Sequence, residues 1–405
     1  MREGFFTRQE IQSKSRPDGK IRSCVSCGLY RDVRSPRMKP YGNFKKKIMI
    51  IGEAPGEMED KLGKPWQGKS GKLLQQTCRK VGIDLFEDCV SVNACHCRPV
   101  DRSGNNRTPT NAEIENCRRK TLEHIYKYKP KVIILLGNSA IYSVLAHRWK
   151  RDFGSVSKWR GWTIPDQDFQ SWICPTFHPS FVERADDPDA RVIWEKDLKA
   201  AVEISEYPFP THVEPDVEIL DDLSVLNDIK EKIVAIDYET TGLKPHAKGH
   251  KIVSCAVADS PNHCYAFLVP DNVKDRKPLV DVLARTDIRK IAHNMKFEEA
   301  WSVNYLGQPV MNWEKDTMLM SHILDNRPGI TSLKFQTYVN FGIVDYSSAV
   351  DPYLTSGSKY GNAFNRITEL LNRPGGKELL LKYNGLDTIY EYRLYEKQQE
   401  NILPF

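Results

Sequence analysis

The stretch KKKIMIIGEAPGE, residues 45–57, contains a short apolar run that ends in a Gly/Pro turn. This pattern predicts a buried strand, a tight turn and then a helix. The run KVIILLGNSAIYSVL, residues 131–145, repeats the same order of strand, turn and helix. Short apolar strands that alternate with helices are typical of the α/β class. We therefore predict a parallel sheet flanked by helices in this part of the chain.

A second series of strands begins at KIVAIDYETTGL, residues 232–243. It continues through KIVSCAVAD, residues 251–259, and HCYAFLVP, residues 263–270. These β-rich runs follow one another closely, which predicts a meander. Helical patterns predominate from there to the C-terminus, where the tail resembles the start of a further helical domain.

Between the two series lies EYPFPTHVEPD, residues 206–216, with three prolines and no periodic apolar pattern. Such a composition is typical of a linker. The length of 405 residues suits two domains that each bury a core. We predict one domain at residues 1–205 and another at residues 217–405.

The composition is that of an ordinary globular protein, with 40% hydrophobic and 28% charged residues. No apolar run of about 18 residues occurs, so we expect no membrane-spanning helix and no membrane partner. The polar N-terminus does not resemble a secretory signal, and we expect a cytoplasmic protein. The net charge of +6 is weak support for nucleic-acid binding, although the basic excess concentrates at residues 31–48 and 61–80.

Four cysteines suggest a metal centre: the Cys24-x-x-Cys27 pair, Cys97 and Cys117. Four thiolates hold either a zinc ion or a [4Fe–4S] cluster, and the spacing alone does not separate the two. Cys95 is a rival ligand two residues before Cys97. The remaining cysteines have no partners at useful spacing, so we interpret them as small core residues: Cys78, Cys89, Cys174, Cys255 and Cys264.

Several motifs in the first domain occur in a characteristic order. GEAPG at residues 52–56 is followed by GKPWQG at 63–68, by Asn93, and by the sequence His178-Pro-Ser. This set resembles the iron–sulfur uracil-DNA glycosylases, families 4 and 5 of their superfamily. The resemblance implies a [4Fe–4S] cluster, and the Arg-Pro that follows Cys97 matches the family's cluster motif.

The resemblance also implies the roles of the pocket residues. Glu53 is the carboxylate that stabilises the sugar cation or orients water, and His178 is the donor to the departing base. Asn93 reads the uracil edge. Trp66 stands where the family usually stacks the base on Phe, and Arg184 is placed to grip phosphate.

The second domain carries spaced carboxylates. Asp237 and Glu239 are two residues apart on a predicted strand, so they share one face and can bind a divalent metal ion. Farther on come the sequence AHNMKFE, which ends at Glu298, and a YxxxD motif formed by Tyr383 and Asp387. This ordered triple resembles the DEDD-type 3′–5′ exonucleases, and most closely the proofreading domain of family A DNA polymerases.

The resemblance implies a ribonuclease-H-like mixed sheet with helices. It also implies a two-metal site in which Asp237, Glu239 and Asp387 hold Mg²⁺ or Mn²⁺. Tyr383 then orients the attacking water. Glu298 stands where the family usually has Asp, and it keeps the charge while adding one methylene group.

Together the two resemblances predict a bifunctional enzyme that acts on uracil-containing DNA and on single-stranded 3′ ends. Some phage family A polymerases also carry a glycosylase-like domain before the exonuclease. We therefore expect a phage protein that works in the bacterial host cytoplasm, with a downstream or separate polymerase domain as its partner. A fragment, a split-polymerase subunit and a stand-alone nuclease all fit the sequence.

Two other functions remain open at this point. In one, the chain is a DNA-binding accessory whose glycosylase-like domain holds or senses uracil without excising it. In the other, the chain is a structural scaffold for a separate polymerase, with both sites silent.

Overall fold

A computed structural model describes residues 24–149, 151–185, 187–356 and 363–400. The predicted absence of a secretory signal and the predicted start of a further domain concern residues that lie largely outside these ranges. The chain divides into two compact units, residues 1–210 and 211–405. No helix in the described ranges is long and apolar enough to cross a membrane.

The first unit is built on a five-stranded sheet in the order β2-β1-β3-β5-β4. The first four of these pair in parallel, and the edge strand β4 is antiparallel to β5. The predicted parallel α/β sheet is therefore confirmed, with one antiparallel edge. Its strands are β1 Ile48–Gly52, β2 Cys89–Asn93, β3 Val132–Leu136, β4 Ile164–Asp166 and β5 Ser171–Thr176.

Helices of the first unit follow most of these strands. They are α1 Cys24–Cys27, α2 Glu57–Leu62, α3 Lys69–Lys80, α4 Asn111–Tyr128, α5 Gly137–Leu145, α6 Val156–Trp159, α7 Pro179–Ala185 and α8 Pro188–Glu203, with a short 3-10 helix at Ile204–Glu206. The central strands β1 and β3 are buried at every position because helices cover both faces of a parallel sheet. Ile50 and Ile134 pack in one cluster with Trp194 and Leu198 of α8.

The second unit is built on a six-stranded mixed sheet in the order β11-β10-β7-β8-β9-β6. Strands β7, β8 and β9 form the predicted antiparallel meander, while β10 and β11 add in parallel beside β7. The strands are β6 Asp216–Leu220, β7 Ile233–Thr240, β8 Ile252–Ser260, β9 His263–Leu268, β10 Arg289–Ala292 and β11 Trp313–Asp316. The two four-residue strands β10 and β11 lie within the stretch expected to be mainly helical.

The helices of this unit include one of 24 residues, Gly376–Gln399. They are α9 Lys277–Ala284, α10 Met295–Trp301, α11 Thr317–Leu324, α12 Leu333–Phe341, α13 Asp351–Leu354, α14 Ile367–Leu371 and α15 Gly376–Gln399, with a 3-10 helix at Leu223–Asp228 and a π-helical turn at Ser302–Leu306. Helix α15 packs across β7, β8 and β9 and buries residues along most of its length. It thereby faces the strand that carries the predicted carboxylates.

The predicted linker at residues 206–216 falls between the two sheets. Its first residue, Glu206, ends the 3-10 helix, and its last residue, Asp216, begins β6. The irregular segment is therefore one residue shorter at each end.

Candidate active sites

A cavity of about 830 Å³ opens in the first unit where the parallel strands end. Glu53 follows β1, Asn93 ends β2, Ser139 follows β3, and His178 follows β5, and all four line this cavity. The carboxyl ends of parallel strands meet at one edge of a sheet, which is where such folds bind ligands. The sheet therefore brings together side chains that are far apart in the chain.

Glu53 is held by a neighbour that the sequence did not single out. Ser139 Oγ donates a hydrogen bond to Glu53 Oε2 at 2.8 Å. Burial raises the pKa of Glu53 above its ordinary value, and the bond from Ser139 and the charge of Arg184 act in the opposite direction. The carboxylate is thus oriented by one bond and partly removed from water.

His178 is a neutral hydrogen-bond donor. The backbone N–H of Ser180 donates to His178 Nδ1 at 3.2 Å, so Nδ1 is an acceptor and the ring proton lies on Nε2. Burial, with a smaller contribution from Arg184, lowers the pKa of His178 to about 4. Gly137 permits the close packing behind the ring, because its φ is +81° and a Cβ there would lie 2.8 Å from His178 Cβ.

Trp66 forms part of the cavity wall and is almost completely buried. Its ring lies over Gly52, where an added Cβ would approach the indole to 2.9 Å and Asn93 Oδ1 to 2.7 Å. The Trp66 and His178 rings are 5.8 Å apart at a tilt of 34°. Within the described ranges the buried indole Nε1 has no hydrogen-bond partner.

The four predicted cysteine ligands come together beside α4. Arg37 links two of them, because its backbone N–H donates to Cys97 Sγ and its Nε donates to Cys24 Sγ, each at 3.2 Å. Cys27 and Cys117 lie near enough for their charges to interact. Arg37 carried no signal in the sequence that marked it as a neighbour of this centre.

The separation of the thiols bears on the choice of metal. In the part of the chain that the structure describes, no three cysteine sulfurs lie within 4.8 Å of one another. Thiolates on a single zinc ion stand about 3.8 Å apart, given Zn–S bonds of about 2.3 Å in a tetrahedron. In a [4Fe–4S] cluster each thiolate binds a different iron, so its sulfurs stand farther apart than those on one zinc ion.

Cys95, the rival ligand, is completely buried in an apolar cluster with Ala94 and Ile114. Its thiol is hydrogen bonded to Cys117, which raises the pKa of Cys95 and lowers that of Cys117 to about 7. Cys95 therefore contacts Cys117 from within this apolar cluster.

In the second unit three carboxylates converge. Ligand oxygens of Asp237, Glu239 and Asp387 all lie within 4.8 Å of one another. Asp237 and Glu239 project from one face of β7, and Asp387 comes from the buried face of α15. Burial, followed by the charge of Asp387, raises the pKa of Asp237 to about 8. Carboxylate oxygens this close fit a hard divalent cation, whose charge relieves their mutual repulsion.

Asp387 has two partners that the sequence did not reveal. Lys334 Nζ pairs with Asp387 Oδ1, and Tyr346 Oη donates to the same oxygen at 2.6 Å. The ammonium group lies 4.2 Å from the centre of the Tyr346 ring and 4.3 Å from that of Tyr383. Within the same group of three carboxylates, Asp237 Oδ2 accepts a hydrogen bond from Asn384 Nδ2 at 2.6 Å.

Glu298, on α10, is buried beside the group of three but does not belong to it. Burial and then the charge of Asp237 raise its pKa well above the ordinary value. Among the described residues its Oε2 has no hydrogen-bond partner.

Comparison with known proteins separates the chain at the same place. The family model described as the uracil DNA glycosylase superfamily matches residues 39–199. The type-4 uracil-DNA glycosylase of Thermotoga maritima is 34% identical over 197 residues, covering 49% of this chain and 96% of that protein. The chain belongs to the uracil-DNA glycosylase superfamily. The same enzyme of Sulfurisphaera tokodaii is 33% identical, over 47% of this chain and 83% of its own.

Fused to this glycosylase domain is a 3′–5′ exonuclease domain, since the family model of that description matches residues 217–402. Both families place the chain among the hydrolases. The DNA polymerase of Bacillus phage SP01 is 26% identical over 80% of this chain, which spans 38% of that polymerase. The predicted fusion is therefore confirmed.

Among solved structures, Brucella melitensis NrnC with bound Mg²⁺ is similar to 47% of this chain, covering 81% of that protein. The identity is 20% and the TM-score is 0.32, so the assignment of the exonuclease domain rests on the family model.

Ser139, Lys334 and Tyr346 contact proposed site residues, and the sequence motifs did not single them out. A weak signal existed for Ser139, which lies in the first turn of α5 directly after β3, at the same edge of the sheet as Glu53 after β1. Lys334 and Tyr346 had no such signal.

Proposed function

We propose that this chain is a bifunctional DNA hydrolase. The glycosylase domain excises uracil from DNA, and the exonuclease domain removes nucleotides from single-stranded 3′ ends. The observation that carries the proposal is the convergence of Asp237, Glu239 and Asp387 within 4.8 Å. The shared cavity of Glu53 and His178 supports the first activity.

In the glycosylase domain the proposed chemistry is cleavage of the N-glycosidic bond of a flipped nucleotide. Positive charge develops on the sugar, and the Glu53 carboxylate, oriented by Ser139, stabilises it or orients water. Negative charge develops on the departing base, and His178 Nε2–H donates to the base oxygen without needing to be protonated first.

Substrate recognition in this proposal uses the rest of the cavity. Asn93 reads the uracil edge through its side-chain amide, and Trp66 stacks on the base. Arg184, on α7, lines the same cavity and supplies the positive charge that attracts a DNA phosphate.

We propose that Cys24, Cys27, Cys97 and Cys117 hold a [4Fe–4S] cluster. The cluster would tie the segment that contains α1 to α4, which is a structural role. The test is visible absorption of the purified protein together with its iron content. Cys117→Ser should lose the broad brown absorption, whereas Cys95→Ser should retain it. A colourless wild-type protein with bound zinc would contradict the assignment.

In the exonuclease domain we propose that Asp237, Glu239 and Asp387 hold Mg²⁺ or Mn²⁺. Such ions supply an activated water and stabilise the leaving 3′ oxygen in phosphodiester hydrolysis. Tyr383 is buried, and desolvation raises its pKa well above the ordinary value, so its hydroxyl keeps its proton and orients the attacking water. Asn384 fixes the orientation of Asp237.

The cellular setting we propose is DNA replication in a phage. The similarity to the polymerase of Bacillus phage SP01 across both domains supports this setting. The partners would be DNA and a polymerase domain, either downstream in a longer chain or separate.

Paired assays test the proposal. One substrate carries a single uracil and is heated in alkali after incubation, and the other carries a normal labelled 3′ end. Asp237→Ala should abolish Mg²⁺-dependent release of 3′ nucleotides and leave excision intact, while Glu53→Gln should do the reverse. If the wild-type protein releases no 3′ nucleotides with Mg²⁺ or Mn²⁺, the exonuclease proposal fails.

The packing of Trp66 favours one second candidate, an accessory that binds uracil without excising it. The indole is wider than the Phe ring usual in the family and occupies the wall above Gly52. This candidate predicts that the protein binds uracil-containing DNA but produces no alkali-sensitive strand break at saturating concentration. Glu53→Gln should then leave that binding unchanged.

A further inference from the structure

Glu391 is a completely buried carboxylate one helical turn beyond Asp387 on α15. The spacing of four residues places Tyr383, Asp387 and Glu391 along one face of the helix. In the part of the chain that the structure describes, no side chain donates a hydrogen bond to either carboxylate oxygen of Glu391. Burying a carboxyl group with no more than a weak backbone contact is costly, so its presence calls for a physical explanation.

Other carboxylates surround Glu391. Burial raises its pKa well above the ordinary value, and the charges of Asp237 and then Glu298 add to the effect. A weak hydrogen bond from the backbone of His293 acts in the opposite direction. In the parallel pairing of β10 with β7, Ile291 lies opposite Ala235. Two residues farther along each chain, the same register places His293 beside Asp237. Glu391 therefore lies within electrostatic reach of Asp237, Glu298 and Asp387.

The three carboxylates that lie within 4.8 Å do not complete a centre for two ions. Paired ions stand about 3.5–4 Å apart and need more oxygen ligands than one such group supplies. Glu298 and Glu391 lie outside the group of three, and no described side chain donates a hydrogen bond to their buried unpaired oxygens. The charge of Asp237 acts on both carboxylates.

We infer that Glu391 is a further carboxylate of the divalent-cation centre and supplies oxygen to it beside Glu298. The inference rests on the proposed exonuclease function and adds a residue to that site. Nothing in the YxxxD motif predicts it, because the motif ends at Asp387. A bound cation also explains the burial, since it neutralises carboxylates that otherwise repel one another.

The test is Mn²⁺ binding to the full chain by calorimetry, combined with thermal unfolding with and without Mn²⁺. Asp237→Ala defines the signal that belongs to this centre. Glu391→Gln keeps the shape of the side chain and should weaken Mn²⁺ binding about 10-fold or more. Its unfolding midpoint without metal should equal or exceed that of the wild type, and Mn²⁺ should raise that midpoint less. Glu378→Gln, exposed on the same helix, is the matched control and should bind Mn²⁺ as the wild type does.

Unchanged Mn²⁺ affinity in Glu391→Gln would overturn the inference. So would a Glu391→Gln protein that is unfolded without metal, because the carboxylate would then belong to the fold. Glu391→Asp keeps the charge but is shorter, so wild-type affinity in that variant would count against direct ligation and intermediate affinity would support it. A wild-type protein that digests 3′ ends while Glu391→Gln binds Mn²⁺ normally refutes this inference alone. A wild-type protein without metal-dependent digestion refutes the proposed function.

Discussion

At the scale of single residues, both sites depend on neighbours that set protonation and orientation. Ser180 contacts His178 Nδ1 through its backbone N–H at 3.2 Å and its hydroxyl at 2.8 Å, and the donated N–H keeps the ring proton on Nε2. Ser139 orients Glu53 through its hydroxyl.

The pH dependence of uracil excision should have a single acid limb, set by Glu53. Burial raises the pKa of Glu53 above its ordinary value, so the active carboxylate is lost as the pH falls through that raised pKa. His178, with a pKa of about 4, stays neutral from about pH 5 to 8 and adds no second limb. Ser139→Ala removes a bond that lowers the pKa of Glu53 and should move the limb to higher pH. Single-turnover excision rates against pH measure this.

Ser70→Ala is the control, because Ser70 lines the same cavity but its Oγ bonds Glu183 instead of Glu53. Its limb should coincide with that of the wild type. A limb that stays in place in Ser139→Ala would show that the hydroxyl does not set the pKa of Glu53.

Gly52→Ala should disable excision selectively. The added Cβ would lie 2.7 Å from Asn93 Oδ1 and 2.9 Å from the Trp66 ring, so the two proposed base-binding side chains must shift. We expect a loss of about 100-fold in the excision rate, since displacements near 1 Å have that effect. Exonuclease activity of the same variant is the internal control and should not change. Equal excision by the variant and the wild type would place the base elsewhere.

At the scale of elements, the exonuclease site is assembled by one strand, one long helix and a turn held by Asp316. The Asp316 carboxylate accepts hydrogen bonds from the backbone of Asn294 and Met295 at the start of α10. It also accepts from Met318 and Leu319 at the start of α11. One side chain thus caps two helices, and α10 is the helix that carries Glu298.

Asp316→Ala should destabilise the exonuclease domain by about 2–4 kcal/mol, because two helix starts lose their acceptor. Asp222→Ala is the control, since Asp222 caps one short 3-10 helix and is exposed. It should cost about 1 kcal/mol or less. Denaturant unfolding followed by circular dichroism measures both. Equal losses in the two variants would argue against the double cap.

At the scale of the whole molecule, two units each have their own core. One cluster of the glycosylase domain contains Ile50 and Trp194, and one of the exonuclease domain contains Val257 and Trp301. Neither of these two clusters includes a residue of the other unit. Each unit is also large enough to bury a core by itself.

Residues 1–210 and 211–405, expressed separately, should therefore each fold and keep their own activity. Each half should show a cooperative thermal transition by circular dichroism. The first half should excise uracil, and the second should release 3′ nucleotides with Mg²⁺ at rates within a few-fold of the full chain. A half that aggregates or shows no transition would mean that its core is incomplete.

Local pattern and motif order determined both fold classes and the identities of the main acidic residues. Apolar runs that end in Gly/Pro turns were sufficient for β1 and β3, because burial on both faces imposes a continuous apolar sequence. The short strands β10 and β11 were missed, since RKIA and WEKD carry little β signal. They become strands because β10 pairs with β7 and β11 pairs with β10.

Tertiary structure alone decided which side chains surround the named ones. Lys334 and Tyr346 meet at Asp387, and Ser139 meets Glu53, across 41 to 86 residues of chain. Glu391 interacts with the charge of Asp237 only because α15 packs against β7. A sequence motif records residues whose spacing is fixed within one element, whereas contacts between elements depend on how the sheet and helices pack.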